Sequence, residues 1–215
     1  MRLILIRHAD AWHEMHGVIA GLAGCTGLTD RGITQARTLA RRLRTTGELG
    51  DCGALLSSPV LRARQTAEIV ATALPVRSIE IDGDLCEVHP GEADGLTWHA
   101  YRERYGSFDL ASFPDRPFAP GGESWSDFVQ RVRSTLARLA SRFDGQTVVA
   151  VSHAGFIVLS LLTLFEIPRT ETRARIDPRF TSLTEWIVEN GRWMLERYND
   201  TSHLIERRPR ERRIC

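Results

Sequence analysis

Two apolar runs that stop abruptly in ionisable residues organise this chain. Leu3-Ile4-Leu5-Ile6 runs into Arg7-His8, and Val148-Val149-Ala150-Val151 runs into Ser152-His153. A short unbroken apolar run reads as a strand buried on both faces. Polar side chains at its carboxyl end point to the sheet edge where open α/β folds keep their sites. Two histidines delivered this way predict one pocket. Around them, elements of helical and strand period alternate. A strand over 2–7 leads to a glycine-rich loop, and Thr29 or Asp30 then caps a helix to about residue 46 with Ala36, Leu39, Ala40 and Leu43 on its apolar face. Residues 54–57 form a short strand. Ser58-Pro59 reads as the N-cap and first residue of a helix carrying Leu61, Ala63, Thr66, Ala67, Ile69 and Val70. Ile79 and Ile81 mark another strand, ending at the turn Asp82-Gly83. Residues 88–122 are irregular, rich in Pro, Gly and aromatic residues, with one helix around 97–105, and read as an insertion over the site. Ser124 or Ser126 caps a helix to about Phe143; the strand at 147–151 follows, and 156–165 is apolar almost all round, as in a buried helix. Residues 183–188 and 192–197, joined by Glu189-Asn190-Gly191, form a hairpin signal that fits either a dimer edge or packing on the chain's own sheet. The stretch 206–215 is charged and broken by proline, the composition of a solvated, disordered basic tail.

Composition narrows the class. A chain of 215 residues, 42% hydrophobic with net charge +1, is long enough for one sizeable core, so a single domain over 1–205 is expected. Near-neutral charge gives no reason to expect nucleic acid or a membrane surface as partner. The first apolar run is too short for a signal peptide and no stretch approaches a membrane span, which makes the cytoplasm the expected location. Cys25, Cys52, Cys86 and Cys215 lack CxxC spacing and read as unpaired thiols. His13 and His16 stand three apart with no third partner at a defined spacing, so they read as loop residues and no metal is expected. Most informative is an absence: all 28 basic residues are arginine. That removes a Walker A lysine, a Schiff-base lysine and a kinase-type strand lysine together. Any phosphate or carboxylate must be gripped by arginine, histidine or backbone amides. The loop 17–27 lacks GxGxxG spacing and reads as a flexible wall of the pocket.

Candidate chemistry follows from position. Arg62 lies in the first turn of a helix that starts at a strand's carboxyl end, where guanidinium and helix N-terminus together make an anion site. Arg64 faces elsewhere and reads as a surface residue. Among the acids after Asp82, Glu87 directly follows Leu85-Cys86 and lies nearest the core, whereas Glu92 and Asp94 sit on the loop.

In order and spacing these segments resemble the histidine phosphatase superfamily, also called phosphoglycerate mutase-like. The matching text is Ile6-Arg7-His8-Ala9-Asp10, Gly27-Leu28-Thr29-Asp30-Arg31-Gly32, the stretch 58–67, Leu85-Cys86-Glu87 through Gly95-Leu96-Thr97-Trp98, Gly121-Gly122-Glu123-Ser124, and Val151-Ser152-His153-Ala154-Gly155. The resemblance implies a three-layer α/β/α sandwich around a mostly parallel sheet and catalysis through a phosphohistidine, without cofactor. Carried over, His8 corresponds to the nucleophile, Arg7, Arg62 and His153 to the grip on the phosphoryl oxygens, and Glu87 to the proton donor; Ala154, Glu14 and Gly21 are further candidate substrate contacts. The chemistry is consistent with those roles. Two guanidiniums and an imidazolium stabilise charge spread over equatorial oxygens, and a neutral His8 needs its second nitrogen to donate, in the family's manner to a backbone carbonyl. A nearby dianionic phosphate favours the protonated form of Glu87. The text departs from the family at His13-Glu14, where a Trp-Asn pair usually stands. Glu14 would repel phosphate if it faced inward; it either meets a cationic substrate group or turns away. The expected activity is a metal-independent phosphatase acting on a small phosphorylated metabolite. A phosphoglycerate-type mutase is the nearest alternative, and a phosphate-binding scaffold protein a more distant one. Chain length and the short 88–122 insertion favour the phosphatase.

Overall fold

The computed structural model describes residues 1–107, 113–167 and 175–204, so the charged stretch 206–215 lies outside the described residues. Strands β1 (Arg2–Arg7), β2 (Cys52–Ser57), β3 (Ile79–Ile81), β4 (Thr147–Ser152), β5 (Leu183–Glu189) and β6 (Arg192–Asp200) form one sheet in the order β3-β2-β4-β1-β5-β6. The pairs β1–β4, β2–β4 and β2–β3 are parallel, and β1–β5 and β5–β6 antiparallel. The hairpin thus extends the chain's own sheet.

Strand alternation sorts the core into two layers. Leu3, Leu5, Val148 and Ala150 pack with Phe128, Val132 and Leu136 of α5 (Trp125–Arg142), with Phe156 and Ile157 of α6 (Ala154–Leu164), and with Trp186. Ile4, Ile6, Val149 and Val151 face the other way, onto Leu39 and Leu43 of α2 (Asp30–Thr46) and Ala63, Ala67 and Val70 of α3 (Leu61–Ala71). The result is an α/β/α sandwich. Two further helices, α1 (Trp12–Met15) and α4 (Trp98–Tyr105), lie in the connections near the sheet's carboxyl edge. No helix among the described residues is long and apolar enough to cross a membrane.

Helix ends follow local chemistry, with one correction. Thr29 caps α2 by accepting from Gly32 N at 3.0 Å, and Gly47, at φ 66°, ends it. Ser124 opens α5 in a reciprocal box with Asp127. Ser58, expected to cap α3, does not: the helix begins at Leu61 after an extended Val60 that makes no side-chain cap. The buried Ser58 hydroxyl is committed to the ring of His153 at 2.9 Å, with longer contacts to Val60 N at 3.3 Å and Cys86 Sγ at 3.4 Å. The one-turn helix α1 was not foreseen, because four residues are too few to establish a period.

The loop 17–27 and the 88–122 region are not separate. Ile19 N donates to Leu96 O, Gly95 N to Ile19 O and Trp98 N to Gly17 O, at 2.8 to 2.9 Å. Ile19 packs with Ala93, Tyr101, Phe118 and Ala119, and Tyr101 Oη donates to Phe118 O at 2.6 Å. Together they build one wall.

Candidate active site

The parallel β1–β4 pair sets Arg7 opposite Ser152, so the residues that follow, His8 and His153, emerge side by side with ring centroids 5.1 Å apart. His8 Nδ1 donates to Ala9 O at 2.8 Å, leaving the lone pair on Nε2, which accepts from Arg62 Nε at 3.1 Å. Arg62, the second residue of α3, also donates to Ala20 O at 2.7 Å and to His153 Nδ1 at 3.0 Å. A guanidinium only donates, so His153 carries its proton on Nε2 and gives it to Ser58 Oγ at 2.9 Å. Burial foremost, with Arg62 the next cause, holds both imidazoles well below their ordinary value. The shift favours neutral His153 in this arrangement, while the imidazolium expected from sequence is that of His153 beside a bound phosphate.

Arg7 and the 13–14 pair form the second cluster. Arg7 donates from Nη1 to Pro178 O at 2.7 Å and from Nη2 to Glu14 Oε1 at 2.9 Å, and its guanidinium lies 4.1 Å over the Phe180 ring. Its Nε is buried with no hydrogen-bond partner among the described residues. Glu14 neither turns away nor stands bare: it faces the site while paired to a cation. His13 enters as well, 6.0 Å from the His8 ring, whereas His16 stacks on Trp12. Burial, then Arg62 and Arg7, push His13 down to about 3, so it is neutral near pH 7.

Glu87 is fixed from three sides. Gly155 N, in the first turn of α6, donates to its Oε2 at 2.8 Å, and Val88 N donates to Oε1 at 3.2 Å. Its backbone is strapped by Arg131 of α5, which donates to the carbonyls of Asp84, Cys86 and Glu87 at 2.6 to 3.1 Å while pairing with the Glu123 carboxylate. Ser152 Oγ holds the same segment through Leu85 O at 2.7 Å.

A pocket of about 390 Å³ opens over these groups, lined by Arg7, His8, His13, Glu14, Arg62, Glu87 and Ala154 and walled by Val18, Ile19, Val88, Pro90, Trp98 and Phe118. Gly21, an expected substrate contact, is outside this lining: its N–H donates to Asp94 Oδ1 at 2.7 Å, and Asp94 also receives Ala23 N and Gly24 N. Asp94 thereby staples the wall from behind. Sequence reasoning missed His13 as a lining residue and Ser58 as the partner of His153. The Trp-Asn register that singled out Glu14 covered His13 as well.

Residues 3–201 match the family model of the histidine phosphatase superfamily (branch 1). Similar proteins include the metal-independent phosphoserine phosphatase of Arabidopsis thaliana, 28% identical over 94% of this chain and 82% of that protein. The adenosylcobalamin/alpha-ribazole phosphatase of Salmonella typhimurium is 30% identical over 90% and 88%. Among solved structures, a phosphoserine phosphatase from Entamoeba histolytica in complex with 3-phosphoglyceric acid superposes with a TM-score of 0.76 at 28% identity, covering 95% of this chain and 99% of that one.

Proposed function

The chain belongs to the histidine phosphatase superfamily, and on that footing we propose that it hydrolyses a small phosphomonoester through a phosphohistidine on His8. The tautomer of His8 carries the reading: Nδ1–H is spent on Ala9 O, so Nε2 keeps its lone pair at the pocket floor beside Arg62. In the first step Nε2 attacks phosphorus, the ester P–O bond breaks, and Glu87 gives its proton to the departing oxygen. In the second, water attacks the phosphohistidine, Glu87 takes the water proton, and inorganic phosphate leaves with His8 regenerated. Arg62 moves its donors from the lone pairs of the two histidines to the phosphoryl oxygens, and Arg7 adds the second guanidinium. Both stay charged throughout, so they compensate the developing charge without any proton transfer of their own. The α6 N-terminus and Gly155 N hold Glu87 where proton donor and acceptor are needed.

The lining also favours hydrolysis over mutation of phosphoglycerate. A mutase holds a bisphosphorylated intermediate and needs cations for a second anion. Among the described lining residues the only arginines are Arg7 and Arg62, both beside His8. The test is product analysis on a panel of phosphomonoesters including 3-phosphoglycerate, in excess EDTA, with His8→Ala in parallel. Free phosphate from the wild type alone is expected. Phosphate migration without release would make the chain a mutase, and equal turnover by His8→Ala would remove His8 as nucleophile.

A further inference from the structure

The pocket's charge is uneven, and its unevenness points to the alcohol half of the substrate. Arg7 and Arg62 between them match a phosphate dianion. Glu14 is then left over: Oε1 rests on Arg7 Nη2 at 2.9 Å, Oε2 has no hydrogen-bond partner among the described residues, and the side chain is 43% exposed at the pocket. Its other ionisable neighbour, His13 Nε2, lies 3.8 Å from Oε1 and is neutral near pH 7, with a value of about 3, so it cancels none of this charge. Beyond the phosphate grip the described lining holds no cation to receive a carboxylate. It offers an aromatic wall instead, Trp98 edge-on to Phe118 with centroids 5.9 Å apart. A carboxylate and an aromatic wall lining one pocket are an environment that recognises organic cations, through ion pairing and attraction to the ring face.

We infer that Glu14 is a specificity residue and that the preferred substrate is a phosphomonoester whose alcohol carries a cationic nitrogen rather than a carboxylate. The inference rests on the phosphatase reading above. An ammonium between the ester oxygen and Glu14 restores neutrality to a site that, with phosphate bound, otherwise holds an uncompensated negative charge. A substrate carboxylate in the same place adds to that charge, and like charges in a partly desolvated cleft are costly.

The experiment measures kcat/KM for phosphoethanolamine, n-propyl phosphate, 3-phosphoglycerate and p-nitrophenyl phosphate with the wild type and Glu14→Gln. In the wild type phosphoethanolamine should exceed its neutral isostere n-propyl phosphate by roughly tenfold, with 3-phosphoglycerate slowest, and Glu14→Gln should bring the first ratio close to one. A melting curve establishes that Glu14→Gln is folded; Glu14→Ala serves if it is not. A wild-type ratio at or below one, or a ratio that survives removal of the carboxylate, overturns the inference while leaving the phosphatase intact. No phosphate from any of the four esters overturns both.

Discussion

A Cβ on Gly155 would come within 2.8 Å of Glu87 Cδ and press into the carboxylate oxygens, so the acid stands where it does because a methyl group is missing. Gly155→Ala should lower kcat roughly 100-fold for alkyl phosphates, whose leaving groups need a proton, and far less for nitrophenyl phosphate. Its near-ultraviolet circular dichroism should be unchanged, since alanine favours a helical position. Equal losses on both ester types would remove Glu87 from the acid role. Nothing local in the sequence explains this glycine, because the side chain it accommodates arrives from 68 residues earlier. His8, Arg62 and His153 were legible for the opposite reason: each sits at the end or start of a strongly patterned element. His13 was not, since one turn of helix in a loop carries no period and its ring finds its neighbours only through the tertiary fold.

The long elements were readable because burial imposes period on them. Strands β1 and β4 are buried on both faces and read as apolar runs, while α2 and α5 each present one apolar stripe. The start of α3 was misread by two residues, because a buried hydroxyl can serve a helix end or a ring and the sequence does not say which. What holds elements against one another was also hidden. Arg131 joins α5 to the segment that carries Glu87, through three carbonyls and the Glu123 carboxylate. Arg131→Met keeps much of the side-chain volume but removes the donor from those carbonyls and leaves a largely buried Glu123 with only His89 as partner among the described residues. It should cost about 3 kcal/mol in urea unfolding. It should also lower kcat with little change in KM, because the acid segment loosens while the phosphate grip remains. An unchanged kcat would make the strap purely structural.

For the molecule as a whole, four histidines set the response to acid. His8, His13, His153 and His203 are all held below the ordinary imidazole value, burial being the first cause in each, with His13 at about 3 and His203 at about 4. Between about 6.5 and those values the unfolded chain binds protons that the folded one refuses, so stability is complete above about 6.5 and drains away as pH falls. Glu48 and Glu185 are pushed up by burial, but hydrogen bonds from Arg42, Arg2 and Arg197 outweigh it and leave them lowered. They therefore add a loss of the same sign once pH falls below the ordinary carboxylate range. The urea midpoint should be flat from pH 8 to 7 and fall steadily toward pH 4, with His13→Asn shallower over that window; a flat profile down to pH 4 would contradict this account. The sheet order has a further consequence, on the ribosome. Strand β1 is flanked by β4 and β5, with Arg2 opposite Thr147 and Ile187, so its backbone has no native strand partner until most of the chain has been made, although Ile4 and Ile6 can already meet α2 and α3. At roughly 5–20 residues per second that wait lasts on the order of ten seconds, during which the nascent strand is a natural client for a chaperone. A chain stalled before residue 147 carries Arg7, His8 and Arg62 but lacks both His153 and the strand that pairs with β1 along its whole length.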